Sequence, residues 1–303
     1  MKSKIFTAIL IAPALACLFS SCKKNDTVTQ SNDAVSAISG DPSLTIFSSI
    51  INRSGDGSYV NSSGTIVAPV DSAFINAGIT SAIAATLNPA ACDSIVKYYS
   101  FANSINFSGS SNTETPFDTE LGSAFFADST GSQLFFEGAA AISATPAMAG
   151  TAYLYKITRF VNPPAPSITQ LSVTDTSISL FNEAFARTNF ASVLSSGSYT
   201  LLIPTNAAFM QAGYPDIASI DAADINTLTQ LLMYQTLPGR MFNNDLDQQS
   251  SVITLQGEPI QLNDSNGTLQ LTGNNSSTAT LVSNGELVGN DVETFKINSL
   301  LLP

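Results

Sequence analysis

Two stretches of the chain, Thr65-Ile-Val-Ala-Pro-Val-Asp-Ser-Ala-Phe-Ile-Asn-Ala-Gly78 and Thr200-Leu-Leu-Ile-Pro-Thr-Asn-Ala-Ala-Phe-Met-Gln-Ala-Gly213, follow one pattern position by position. Later in each copy, the segment from Tyr155 to Pro163 matches the segment from Phe295 to Pro303, at nearly the same offset. Landmarks in the same order and at domain-sized spacing indicate a duplicated domain. We therefore predict two globular units rather than an array of short repeats.

Tyrosines also occur at matching points of the two copies. Tyr99 and Tyr234 stand at the same offset as the two opening stretches, and each ends an apolar stretch with helical periodicity. A tyrosine at such a place usually packs its ring and leaves only its hydroxyl near water. We interpret both as packing residues, and the alternative is that Tyr99, Tyr234 and the neighbouring Gln235 recognise a partner.

The local patterns predict strands and helices of both kinds. Each quoted stretch opens with an apolar run that ends at Pro, which is typical of a buried strand. Asp71 and Asn206 follow two residues later, where a helix begins and a short polar side chain can cap it; a ligand role is the alternative. After Gly239 apolar residues alternate, with predicted turns that include Asn284-Gly285. The fold class is predicted to be α+β.

The chain begins like a bacterial lipoprotein. Two lysines precede an apolar run shorter than the roughly 20 residues that a spanning helix needs, so residues 1–21 are predicted to be a signal peptide. Small residues stand directly before Cys22, as in the lipobox whose cysteine is lipidated, and Cys17 is a rival acceptor. The Ser-Cys-Lys-Lys start resembles lipoproteins of Bacteroidota. We expect an outer membrane lipoprotein, surface-exposed or facing the periplasm, that contacts the membrane through this lipid only.

The predicted organisation has five parts. They are a signal peptide (1–21), a flexible tether (22–41), a first domain (42–162), a Pro-rich linker (163–167) and a second domain (168–303). The tether lacks sustained periodicity, and three prolines within four positions of the linker cannot continue a strand or a helix.

Composition excludes several classes of function. The chain has no His, which rules out a Ser-His-Asp triad, a Cys-His pair and an imidazole metal site, and no Trp, a common platform for sugars. A net charge of −12 argues against nucleic acid as a partner. With Cys22 lipidated, Cys92 has no disulfide partner and is predicted to be buried. We predict no catalytic residue, no metal site and no cofactor.

Three segments of the second copy resemble fasciclin-like (FAS1) domains. Thr200 to Phe209 is similar to the family's opening segment, Thr-Val-Phe-Ala-Pro-Thr-Asp/Asn-x-Ala-Phe. Leu231 to Gly239 resembles its Leu-x-Tyr-His followed by Val-x-Pro-Gly, and Lys296 to Pro303 resembles its closing strand. The first copy is more divergent. The resemblance implies two tandem FAS1-like domains, each a β wedge or sandwich packed against several helices, with adhesion as the usual role and no catalytic machinery.

Both copies depart from the family where it carries a His after the Tyr. Gln235 stands there in the second copy, and Ser100 is predicted to do so in the first. The family's Tyr-His region has been tied to partner binding, so the resemblance implies that any such binding here proceeds without an imidazole.

Two polar clusters have a simpler interpretation than a site. Asn263-Asp-Ser-Asn-Gly267 has oxygen ligands at alternate positions, as calcium loops do, but it lacks their twelve-residue pattern and is predicted to be a β turn. Glu114, Asp118 and Glu120 are near enough in sequence to suggest a carboxylate pair for glycoside cleavage, and a solvated loop is the preferred interpretation.

The predicted function is non-enzymatic. We expect a lipid-anchored adhesion or binding protein of the cell envelope, whose partner is an extracellular glycan or a surface or matrix protein. The alternative is a glycan-capture accessory protein of a polysaccharide uptake system. A cleft lined by exposed Tyr or Phe favours the alternative, whereas a broad flat patch at the domain junction favours adhesion.

Overall fold

The computed structural model describes residues 33–55, 57–107, 115–164, 175–264, 268–288 and 292–303. These residues belong to one compact unit. Within it, one apolar core is built from residues 34–160 and two adjoining clusters from residues 178–301. We call the two parts the N-terminal half (33–164) and the C-terminal half (175–303).

The N-terminal half combines helices with two sheets. Its helices are α1 (Ala34–Ser39), α2 (Thr45–Ser54), α3 (Ser58–Ser62), α4 (Asp71–Asn76), α5 (Ser81–Ala84) and α6 (Pro89–Tyr98). Its strands are β1 (Thr65–Pro69), β2 (Ser100–Phe101), β3 (Thr115–Asp118), β4 (Ala124–Thr130), β5 (Gln133–Phe136), β6 (Ala139–Ala140), β7 (Ala147–Ala149) and β8 (Ala152–Ile157). One sheet has the order β2-β1-β8-β7 with β1 parallel to β8, and β3 to β6 form an antiparallel meander.

The C-terminal half also combines helices with strands, but its strands form a single sheet. Its helices are α7 (Ser179–Arg187), α8 (Asn206–Gln211), α9 (Ile217–Ala222), α10 (Ile225–Tyr234) and α11 (Asn243–Leu246), with 3₁₀ helices at Thr176–Ile178 and Phe190–Ser196. Its strands are β9 (Tyr199–Pro204), β10 (Thr236–Pro238), β11 (Ser251–Ile253), β12 (Pro259–Asp264), β13 (Leu269–Thr272), β14 (Thr278–Val288) and β15 (Val292–Ile297). They form one sheet in the order β10-β9-β15-β14-β13-β12-β11, with β9 parallel to β15.

The strand registers preserve the repeat that the sequence shows. Thr65 in β1 lies opposite Tyr153 in β8, and Thr200 in β9 lies opposite Glu293 in β15. Thr65 and Thr200 match in the opening stretches, and Tyr153 and Glu293 each stand two positions before the matched segments that close the copies. The α+β prediction is confirmed, and the parallel pair of the first and last strands recurs in both halves.

Strand β14 differs from its prediction. The sequence predicts a turn at Asn284-Gly285, but both residues lie within β14, where the register with β15 shifts between Leu281 and Glu286. A bulge of this kind adds residues to one strand and bends it without ending it. The bend lets β14 pair with β15 at one end and with β13 at the other, whereas the N-terminal half uses the separate strands β6 and β7.

The predicted tether is wrong from residue 33 onward. Asp33 caps α1 by accepting a hydrogen bond from Ser36 N at 2.7 Å, and Ala34 and Ile38 are buried in the core. These two apolar residues lie four apart and so share one helix face, a pattern too short to stand out as periodic in the sequence. The rest of the tether, the signal peptide and residues 165–167 of the linker lie outside the described residues.

Candidate functional site

The two halves do not align at one constant offset. Thr65 in β1 pairs with Phe101 in β2, whereas Thr200 in β9 pairs with Leu237 in β10. The offset between the halves therefore grows by one position from the first strand to the second. One additional residue stands between these strands in the C-terminal half.

This shift changes which candidate residues correspond. Tyr98 and Tyr234 are the last residues of α6 and α10, and Tyr99 and Gln235 are the residues that cap them. The predicted equivalence of Tyr99 with Tyr234 is therefore wrong by one position. So is the assignment of Ser100 to the place of the family's His, because Tyr99 occupies it.

Tyr99 holds the closing segment of the N-terminal half. Its side chain is buried, and its hydroxyl donates to Val161 O at 2.6 Å and accepts from Val161 N at 2.8 Å. Its ring packs on Phe47, Phe125 and Phe160 with centroids about 6 Å away. Burial raises the pKa of this hydroxyl far above its usual value, so it stays protonated.

Gln235 has the same role in the C-terminal half. Its side chain is also buried, its Nε2 donates to Leu301 O at 2.7 Å, and its Oε1 accepts from Leu301 N at 3.3 Å. Leu301 and Val161 are matching positions, since each stands two residues before the Pro that ends the closing segment. A phenol in one copy and an amide in the other thus satisfy the same two backbone groups.

Tyr234 is a third buried connection. Its hydroxyl donates to Pro259 O at 2.9 Å and accepts from Asn274 N at 2.9 Å, which ties α10 to the meander. The side chains of Tyr99, Tyr234 and Gln235 are therefore enclosed by the fold. This supports the packing interpretation, and a partner must contact other residues to bind without disturbing the core.

Asp71 and Asn206 cap helices other than the ones they begin. Asp71 is the first residue of α4, but its carboxylate accepts from Ile46 N at 2.8 Å, at the start of α2. Asn206, at the start of α8, accepts likewise from Leu180 N of α7 at 3.0 Å. The sequence predicts the capping chemistry but not the partner, because the orphan amides belong to a helix that comes much earlier in the chain.

The remaining candidates lie only partly within the described residues. Asp118 ends β3 as an exposed residue, whereas Glu114, residues 265–267 of the calcium-like loop and Cys22 lie outside the described residues. Across the described ranges, no group of three or more acidic or Cys side chains is placed to hold a metal ion. Cys92 is buried, as predicted.

The most unusual chemistry lies where the two halves meet, a region we call the junction. Here the hairpin loop Glu137-Gly138 and strand β4 of the N-terminal half contact the residues around α11. The rings of Phe126 and Phe242 lie 6.3 Å apart, and the Arg240 guanidinium sits 4.5 Å from the Phe126 ring centre. Such a stacked cation is favourable when it is shielded from water.

Buried charges of both halves lie at the junction. Arg240 and Glu293 of the C-terminal half form an almost wholly buried ion pair at 3.5 Å. Arg159 of the N-terminal half donates to Glu137 O at 2.5 Å. Burial lowers the pKa of Arg159, and the nearby negative charge of Glu293 partly offsets this by raising it. Charges from both halves therefore stabilise one another, and separating the halves exposes them again to water.

Two carboxyls at the junction have raised pKa values. Burial raises the pKa of Glu137 to about 7, and its Oε1 accepts from Phe126 N at 2.8 Å. Burial, with the nearby charge of Asp245, raises the pKa of Asp128 to about 6. Asp128 Oδ2 accepts from Asn244 Nδ2 at 3.3 Å, across the two halves. Perturbed carboxyls of this kind often mark functional positions.

Sequence reasoning missed the junction. Glu137-Gly138 between two short apolar runs is a signal for a two-residue hairpin, and both residues have positive φ, as such a turn requires. Nothing in the local pattern says that this loop contacts Phe242, which comes much later in the chain.

Within the described part of the chain, no helix combines the length and apolarity that crossing a membrane requires.

Comparisons with known proteins find a family match in one half of the chain. Residues 176–303 match the family model of the fasciclin domain. The uncharacterized protein sll1735 of Synechocystis sp. is 29% identical over 103 residues, which span 34% of this chain and 77% of that protein. A solved FAS1 domain pair from the insect cell adhesion molecule fasciclin I covers 86% of this chain and 97% of its own, at 14% identity and a TM-score of 0.41. The match to the fasciclin domain model thus lies in the C-terminal half.

Proposed function

We propose that this chain is a non-enzymatic adhesion protein, held on the cell envelope by a lipid anchor. Its binding surface is formed by two tandem FAS1-like units, the second of which matches the fasciclin domain model. The match at residues 176–303 carries the proposal. The recurrence of the same strand order and parallel first-to-last pairing in the N-terminal half supports a second unit of the same kind.

The exposed apolar side chains favour a protein partner over a glycan. The large hydrophobic side chains that are prominently exposed in the described residues are all Ile or Met, namely Ile75, Ile83, Ile142, Met148, Met210, Ile217, Ile225 and Ile253. Sugars stack on flat aromatic faces, whereas flexible aliphatic and thioether side chains adapt to apolar protein surfaces. This distribution supports protein adhesion as the primary function, with glycan capture as an outcome that the test below can reveal.

Two of these residues are equivalent in the repeat. Ile75 in α4 and Met210 in α8 occupy the same position of the two opening stretches, and each is 53% exposed. Each half therefore presents an apolar side chain from the same helix position. Two copies of one weak contact on one chain strengthen binding when both engage the partner.

The adhesion test uses the soluble chain from Ser31 to Pro303 on cells, on matrix proteins and on a glycan array. Replacing Ile75 and Met210 together by Ser is expected to weaken binding to a protein or cell surface at least tenfold. The matched control replaces Met148 and Ile253, which are 58% and 55% exposed on strands β7 and β11, and is expected to bind normally. Saturable binding to oligosaccharides that both double variants retain would instead identify glycan capture.

The anchor has its own test. In a bacterial host with lipoprotein processing, Cys22→Ala is expected to abolish incorporation of a labelled fatty acid and to release the protein from the membrane fraction. Cys17→Ala serves as the control and should change neither. Loss of label in the Cys17 variant alone would place the lipid on the rival residue.

A further inference from the structure

Among the described residues, the junction encloses a carboxyl that has no cation beside it. Asp128 is 3% exposed, and the groups of the C-terminal half that face it are the Asn244 amide and the carboxyl of Asp245. Arg240 of the junction forms an ion pair with Glu293, and Arg159 donates to the backbone oxygen of Glu137. A buried carboxylate beside another carboxylate is unfavourable in its ionised form.

This environment depends on contact between the halves. Both groups that face Asp128 belong to α11, whereas Asp128 itself lies in β4. Gln248 Nε2, just beyond α11, donates to Thr130 Oγ1 at 3.2 Å and extends the same contact. When α11 moves away from β4, Asp128 returns to water and loses the neighbouring charge of Asp245.

We propose that the junction is a pH-sensitive latch, which holds the two halves together when Asp128 is neutral and loosens when Asp128 is ionised. The latch rests on the geometry of the junction and is independent of the adhesive function. Each half exposes one apolar side chain at the same helix position, Ile75 and Met210. If the latch opens, the distance and angle between these two side chains change with pH.

The direction of the pH effect follows from the ionisation of the Asp128 carboxyl in the closed and in the open state. Below pH 3.8, the ordinary pKa, Asp128 is neutral whether the halves touch or not, so closing costs nothing extra. Above a pKa of about 6 it is ionised in both states, and the closed state bears the full cost of burial. The ratio of closed to open molecules therefore falls about 60-fold between pH 4 and pH 8. Glu137, which faces Tyr98, Arg159 and Arg240, has a pKa raised by burial and acts in the same direction.

The test measures the distance between the halves in the chain from Ser31 to Pro303. Asn76→Cys and Gln211→Cys place spin labels at equivalent exposed positions, and Cys92 is buried and stays unlabelled. Pulsed electron paramagnetic resonance at pH 5, 6, 7 and 8 is expected to show one short distance in acid and a growing longer component toward pH 8.

Two variants and one control separate the latch from general unfolding. Asp128→Asn cannot ionise and is expected to lose the part of the response that Asp128 contributes, which leaves only the change contributed by Glu137. Asp245→Asn removes the neighbouring charge, so the response in that variant is expected to shrink in amplitude. Asp221→Asn, on an exposed residue of α9, should behave like the unmodified chain. Far-ultraviolet circular dichroism confirms that each variant is folded. A distance that does not depend on pH in the unmodified chain, or an equal response in Asp128→Asn, overturns the proposal.

Discussion

Replacing Gly138 tests how closely the two halves contact each other. Gly138 lies in the two-residue loop between β5 and β6 with a φ of +67°, and a Cβ added there would stand 2.5 Å from Phe242 Cβ and 3.0 Å from Asn244 Oδ1. Gly131, in the preceding hairpin loop, has a φ of +62° and nothing within 4 Å of an added Cβ. Gly131→Ala is therefore a matched control.

The magnitudes separate into a backbone cost and a contact cost. Alanine in the left-handed region costs about 1 kcal/mol at either glycine. Only Gly138→Ala also forces a methyl group into the junction, and overpacking of this kind costs about 1–3 kcal/mol. The free energy of unfolding is thus expected to fall by about 2–4 kcal/mol in Gly138→Ala and by about 1 kcal/mol in Gly131→Ala.

Urea denaturation followed by circular dichroism measures both values. For a chain of this size, the difference between the variants corresponds to roughly 2–5 °C in the melting temperature. If the two substitutions cost the same within about 0.5 kcal/mol, the hairpin does not pack against Phe242 and the description of the junction is wrong. An inter-half distance that lengthens in Gly138→Ala at constant pH would show that the strain opens the junction.

Three further predictions concern stability, each checked by urea denaturation. Tyr99→Phe and Gln235→Ala each leave two backbone groups of the closing segment without their partner and should cost about 1–3 kcal/mol; an unchanged midpoint in both would contradict the anchoring role. Between pH 5 and pH 8, stability should decline by about 1.4 kcal/mol because burial raises the pKa of Asp128, and Asp128→Asn should remove this part of the decline. Asp71→Ala and Asn206→Ala should each cost about 1 kcal/mol by uncapping α2 and α7, and amide exchange should quicken at Ile46 and Leu180, not at the start of α4 or α8.

The candidate site is partly predictable from the sequence. The Pro-Val-Asp and Pro-Thr-Asn turns predict capping residues, and the apolar stretches that end in tyrosine predict packing at the ends of α6 and α10. The sequence does not say that Tyr99 corresponds to Gln235, because two adjacent tyrosines in the first copy hide an offset of one position. Only the hydrogen bonds to the closing backbone show that the two different side chains have one role.

The sequence by itself determined the duplication, the α+β class and the strands that open and close each half, because apolar periodicity, prolines and repeated spacing are local or self-similar signals. The tertiary structure alone decided the junction. Asp128 and Asn244 are 116 residues apart, and Gly138 and Phe242 are separated almost as far. Contacts over such distances depend on how two finished units meet, and nothing in the pattern of either segment encodes the other. The same burial raises the pKa values of Asp128 and Glu137, so the pH response belongs to the assembled halves.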